Sequence, residues 1–192
     1  MMNRLLLVIS ALQLASCGTA PEAPPLAGAR IGGPFTLMGE DGKQLSDTQF
    51  AGKYRIVYFG YTFCPDICPV DLRNLMLGLK AFEKTDAARA QKVQPLFISV
   101  DPARDTPVVL TEYTDAFHPR LIGLTGTEAQ TEAAKKAFAV FASKGEAKGN
   151  GAYLVDHSRV AYLFGPKGEP IAILSHDGTP QAIAAELDQW VK

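Results

Sequence analysis

Apolar and polar positions fall into blocks whose period changes along this chain. Ile56 to Phe59 is an unbroken β-branched and aromatic run, which predicts a buried strand. Leu72, Leu75, Leu79 and Phe82 then recur at helical spacing, to about Lys84. Val93 to Val100, VQPLFISV, predicts the next strand and ends in Asp101-Pro102. Thr106 reads as an N-cap with Pro107 at the first helical position, opening a helix to about Phe117. A short strand, Leu121 to Leu124, precedes a helix from Thr127 to Ser143 whose apolar face carries Ala134, Phe138 and Phe141. Beyond a loop from Lys144 to Gly151 come three strand candidates, Tyr153 to Val155, Arg159 to Phe164 and Ile171 to Leu174. The gap between the second and third reads as a hairpin loop. Thr179-Pro180 starts a final helix, Gln181 to Val191.

Ahead of these blocks, Phe35 to Leu37 and Gln44 to Leu45 flank Glu40-Asp41-Gly42-Lys43, an N-terminal β-hairpin signal. Strands alternating with helices, then a hairpin and a terminal helix, imply an α/β protein: a mixed central sheet flanked by helices on both faces. That order is the order of a thioredoxin-like fold.

The first residues follow a different logic. Arg4, an apolar run from Leu5 to Leu14 and the small residues Ala15 and Ser16 describe a signal peptide over 1–16, too short to span a membrane. Leu14-Ala15-Ser16-Cys17 also resembles the bacterial lipobox, in which cleavage leaves the cysteine as a lipid-bearing N-terminus. Cys17 is thereby expected to be the lipidation site of a membrane-anchored lipoprotein in the cell envelope, periplasmic or otherwise extracytoplasmic. Residues 17–30, rich in Pro, Ala and Gly, read as a flexible tether, and 31–192 as one domain. Composition is globular, with 47% hydrophobic and 20% charged residues and a formal net charge of -1. Without a basic run or an arginine-rich face, nucleic acid is not an expected partner.

Chemistry concentrates just after the strand at Ile56. Cys64 and Cys68, with Cys17, are the chain's cysteines, and three residues separate them. Pro69 suits the first position of a helix, which makes Cys68 its N-cap and puts Asp71 in the first turn. Partial positive charge at that mouth favours a thiolate, the form that binds metal or exchanges with disulfides. The spacing is wider than a redox CxxC and leaves room for a soft ion between two sulphurs, while a disulfide remains geometrically open. Two thiolates with an imidazole suit Cu(I), with Cu(II) tolerated once nitrogen joins sulphur. Three histidines compete for that place. His118 reads as an exposed helix C-terminal residue and His176 as a solvated turn residue. His157 lies in a gap that a thioredoxin-like sheet puts beside the cysteine turn, so it is the one that geometry offers as a third ligand.

YTFCPDICP at 61–69, VDPARDTP at 100–107 and VDHS at 155–158, in that order, closely resemble the Sco (SenC) family of copper-binding, thioredoxin-like proteins, which assist assembly of the dinuclear copper centre of cytochrome c oxidase. The resemblance spans about Phe35 to Val191. Carried over residue by residue, it makes Cys64 and Cys68 the thiolate ligands and His157 the imidazole ligand of copper. Where redox thioredoxins carry a cis-proline, this chain has Asp156-His157-Ser158. Asp156 reads either as a partner that orients the ring or as a solvated carboxylate, Asp66 either as a charge that tempers thiolate affinity or guides a basic partner or as a solvated turn residue, and Asp101, Arg104 and Asp105 as braces of the neighbouring loop. Many relatives are anchored by a transmembrane helix, a role that a lipid on Cys17 would take here.

The resemblance implies a copper metallochaperone that receives copper from an upstream periplasmic donor and passes it to the copper-binding subunit of cytochrome c oxidase. The alternatives are enzymatic. In one, Cys64 and Cys68 form the redox-active pair of a thiol-disulfide oxidoreductase that reduces the target's cysteines; a weaker one is a thiol peroxidase.

Overall fold

The computed structural model describes residues 22–149 and 151–192, so the expected signal peptide and Cys17 lie outside the described residues. Within the stretch expected as a tether, the Leu26 N–H donates to the Ile171 carbonyl and its side chain packs against the core.

Strands β1 (Thr36–Gly39), β2 (Gln44–Ser46), β3 (Tyr54–Gly60), β4 (Val93–Ser99), β5 (Ile122–Thr125), β8 (Ala161–Phe164) and β9 (Pro170–Ile173) form one sheet in the order β2-β1-β5-β4-β3-β8-β9. The centre is parallel, β3 against β4 and β4 against β5, and both flanks are antiparallel. All seven residues of β3 are buried, and because successive side chains point to opposite faces, both faces of the sheet are covered there. Strands β6 (Ala142–Lys144) and β7 (Val155–His157) pair only with each other, as a separate two-stranded sheet.

Helices α1 (Ile67–Thr85), α2 (Ala87–Ala90), α3 (Pro107–Asp115), α4 (Glu128–Ala137) and α5 (Pro180–Trp190) complete the fold. α1 buries Leu72, Leu75, Met76, Leu79 and Phe82 and packs along α5. The contact is close at Gly78, where a Cβ would lie 2.5 Å from Ile183 Cγ2. The expected caps at Thr106 and Thr179 hold, their hydroxyls accepting the N–H groups of Val109 and Ala182, and Thr127, expected as the first residue of its helix, instead caps it through the Gln130 N–H.

Three expected boundaries are corrected. α1 begins at Ile67, with Asp66 in the N-cap position, so Cys68 is the second helical residue and Pro69 the third. Proline is tolerated there because the first-turn N–H groups have no intrahelical acceptor to lose. α4 ends at Ala137, well short of Ser143. Ala139 turns left-handed (φ 53), and the Val140 and Ala139 N–H groups bond back to the carbonyls of Lys135 and Lys136, a Schellman closure made without glycine. Phe138 remains in the core, whereas Phe141 is carried to the surface. β7 also starts later than expected and takes in His157.

Candidate metal centre

β3 delivers the chain to the cysteine loop. Cys64 and Cys68 are both buried, and both are free thiols. The Cys68 N–H points at Cys64 Sγ at 3.4 Å, so at the mouth of α1 the sulphur stands where a capping oxygen usually does. The Asp66 side chain makes no cap bond and is exposed. Gly60, the last residue of β3, gives Cys68 its space: a Cβ there would lie 3.2 Å from Cys68 Sγ and 2.9 Å from the Phe97 ring. A glycine closing an apolar strand was the available sequence signal.

His157 arrives from β7. Its Nε2 stands 3.0 Å from Cys68 Sγ and its Nδ1 3.0 Å from the Ser158 carbonyl. A carbonyl only accepts, so Nδ1 carries the hydrogen and the bare Nε2 lone pair faces the sulphur. The rings of Tyr58 and Tyr61 meet the imidazole edge-on, at 89° and 87°. Burial pushes His157 below the usual histidine range, which keeps the ring neutral and able to bind a metal. Burial also pushes the Cys68 thiol up, so the expected lowering at the helix mouth is outweighed by loss of solvent. A metal at this point would have to displace that proton.

The ligand atoms of Cys64, Cys68 and His157 all lie within 4.8 Å of one another. With bonds of about 2.0–2.3 Å, ligand atoms on one soft ion stand roughly 3.5–4 Å apart, so a small side-chain adjustment closes the set. Among the described residues this is the one group of three Cys, His, Asp or Glu side chains able to converge on an ion.

The other two histidines are elsewhere, and neither is solvated as expected. His118 is 2% exposed; its Nδ1 accepts the Arg120 N–H and its Nε2 faces Glu83 at 3.4 Å. His176 is largely buried, beside the Tyr58 ring and 3.7 Å from Asp71. Asp156 is exposed, and the Ser158 carbonyl, not this carboxylate, orients the imidazole. The loop after β4 does act as a brace. Asp105 accepts the Thr62 N–H and hydroxyl and the Ser99 hydroxyl, and burial pushes its carboxyl up. Asp101 binds Arg104 and the Tyr153 hydroxyl, while the Arg104 guanidinium lies 3.6 Å over the Tyr153 ring and 4.8 Å from that of Phe63.

Sequence reasoning missed Asp71, expected as a first-turn residue complementing the helix dipole. It is fully buried at the fifth helical position, where it accepts the Tyr58 hydroxyl at 2.9 Å and a two-pronged ion pair from Arg159 at 2.9 and 2.6 Å. An acidic residue one turn beyond Cys68, on the inward side of a helix, was the only local hint.

Known proteins resemble this arrangement over most of the chain. The SCO1/SenC family model matches residues 23–192. Protein SenC of Rhodobacter capsulatus is 45% identical over 158 residues, 82% of this chain and 69% of that protein. The mitochondrial protein SCO2 of Saccharomyces cerevisiae is 44% identical over 163 residues, 84% of this chain and 53% of its own length, so the chain spans about half of that relative. Among solved structures, Bradyrhizobium japonicum ScoI with copper bound is 38% identical with a TM-score of 0.76, covering 83% of this chain and 99% of that one. The fold is thioredoxin-like: the thioredoxin domain of a Bacteroides vulgatus thiol-disulfide oxidoreductase, only 14% identical, shares it at a TM-score of 0.58.

Proposed function

The chain belongs to the SCO1/SenC family, and on that premise we propose that it is a copper metallochaperone. It carries copper on Cys64, Cys68 and His157 and passes it to the copper-binding subunit of cytochrome c oxidase during assembly of the dinuclear copper centre. The observation that carries this reading is the convergence of two sulphurs and one neutral imidazole nitrogen within 4.8 Å, a soft ligand set that suits Cu(I) and accepts Cu(II). Three ligands leave the ion open on one side, where an acceptor's thiolate enters before a donor ligand leaves.

The location that fits this role is the extracytoplasmic side of a membrane. Lipidation of Cys17 would hold the domain there, and an upstream periplasmic donor would load it. No helix among the described residues is long and apolar enough to cross a membrane. Thiol-disulfide exchange is the less favoured reading, because it has no use for an imidazole seated against Cys68 Sγ and needs thiolates that can reach a partner's disulfide, whereas Cys68 is fully buried.

The test is a Cu(I) titration of the thiol-reduced protein against a competing chelator. One equivalent is expected, with affinity lowered at least about tenfold in His157→Ala and more in Cys64→Ser, because each removes a ligand atom. Wild-type copper stoichiometry and affinity in both variants would sink the assignment. Incubating the loaded protein with the metal-free copper-binding domain of the oxidase subunit should move copper to the acceptor.

A further inference from the structure

We infer that the Asp71–Arg159 ion pair positions His157 against the two cysteines, holding the ligand set together before metal arrives. This rests on the copper-site reading above and assigns work to two residues outside the ligand set.

The argument begins with connectivity. Cys68 belongs to α1, which packs on the main body, whereas His157 belongs to β7, whose only strand partner is β6. No ladder hydrogen bond joins that two-stranded sheet to the seven-stranded one, and the chain re-enters the main sheet only at Ala161, opposite Tyr58. Backbone pairing therefore leaves the distance from His157 to Cys68 unspecified. Side-chain ties must set it.

The ties are few. The Tyr61 hydroxyl accepts the Val155 N–H at 3.2 Å, Arg104 donates to the Tyr153 carbonyl at 3.0 Å, the Tyr153 hydroxyl donates to Asp101 at 2.8 Å, and the Val155 side chain is buried in the core. All of these act before His157 in the chain. The ion pair acts just after it, since Arg159 lies two residues beyond His157 and Asp71 three beyond Cys68. It thus runs beside the Cys68–His157 contact, one helical turn along α1, and spans the same two segments.

Asp71 is built as an anchor. Its carboxylate is 0% exposed and receives three hydrogen bonds, two from Arg159 and one from Tyr58, whose ring in turn meets the His157 ring edge-on. A buried carboxylate that lost the guanidinium would be left under-compensated, so the pairing is strongly enforced. Arg159 itself is 42% exposed, which allows it to be replaced without opening the core. Holding a ligand in place in advance removes part of the ordering cost from metal binding.

The experiment uses Arg159→Gln and Arg159→Lys, each in the wild-type and His157→Ala backgrounds, with Cu(I) affinity read by chelator competition. Arg159→Gln is expected to weaken copper about tenfold, the low end of what removing a ligand-orienting partner costs, and Arg159→Lys to recover part of that loss. In the His157→Ala background the further loss should vanish, because the pair acts through the imidazole. An equal loss in both backgrounds overturns the inference. In metal-free Arg159→Gln, the His157 ring signals in NMR spectra should shift and broaden while the Gly60 and Leu75 amides stay in place; unmoved His157 signals also overturn it. Should the wild-type protein bind no copper, the copper reading fails on its own, and the metal-free spectra still decide whether the pair positions the ring.

Discussion

Cys68 stands on a helix of 19 residues that buries eight of them, while His157 stands on a strand of three whose only ladder partner is another strand of three. The cysteine half of the site inherits its position from the hydrophobic core. β3, buried along its whole length, ends at Gly60, and α1 is locked by Leu72, Leu75, Leu79 and Phe82. The histidine half has one core anchor, Val155, and otherwise inherits its position from a handful of polar contacts: the Tyr61 hydroxyl, the Arg104 guanidinium, the Tyr153–Asp101 bond and the Asp71–Arg159 pair. Apolar packing is non-directional and cooperative, so it fixes a body. Directional hydrogen bonds and ion pairs fix one segment against that body, and each can be removed singly. A site that must take up and surrender an ion is well served by one rigid wall and one wall held by separable ties.

Damage to the two walls should therefore look different. The largest effect is expected from Phe82→Ala, which empties a fully buried ring site on α1 and should cost about 3–5 kcal/mol in denaturant unfolding, with metal binding lost as the body loosens. Intact stability in that variant would mean that the helix is held by something other than its buried face. Tyr61→Phe is next. It deprives the buried Val155 N–H of its acceptor, at a cost of about 1–3 kcal/mol. The cost should fall locally, as faster amide exchange at residues 155–157 and weaker copper binding, with the exchange of β3 and β4 unchanged. Uniformly faster exchange would erase the distinction between the walls.

The smallest effect concerns pH. His118 sits in the main body beside Glu83, Arg120 and Lys80, and burial lowers its pKa below 6.5. The unfolded chain therefore takes up this proton more readily than the native one, so the stability His118 contributes is complete above pH 6.5 and is lost as pH falls through the lowered value. Protonation would also remove the Nδ1 acceptor used by the Arg120 N–H. His157, lowered in the same direction, adds to the slope. The metal-free protein is thus expected to weaken on acidification, and His118→Gln to flatten part of that fall. A slope as steep as wild type in the variant would remove His118 from the account.

Most of the main body was legible in the sequence because its signals are local. The run at Ile56, the helical spacing from Leu72 to Phe82, the Asp41-Gly42 hairpin and the threonine caps at 106 and 179 each lie within a few residues, and each appears where expected. The end of α4 was not legible. Its closure rests on an alanine in a conformation that usually calls for glycine, so the apolar period ran on to Phe141, which the structure exposes. His118 was misread as exposed because the partners that bury it, Glu83 above all, come from 35 residues away.

By itself the sequence determined the chemical groups and their order: two cysteines where an apolar strand meets a helix, a histidine in a short gap between two later strands, and the motifs that identify the family. The tertiary structure alone decided the distances. It set His157 Nε2 3.0 Å from Cys68 Sγ, turned its bare nitrogen inward through the Ser158 carbonyl, and buried Asp71 beneath Arg159. The physical reason is separation along the chain. Cys68 and His157 are 89 residues apart and Asp71 and Arg159 are 88, so their contacts follow from how the sheet, the helix and the small hairpin pack together, which no local periodicity encodes.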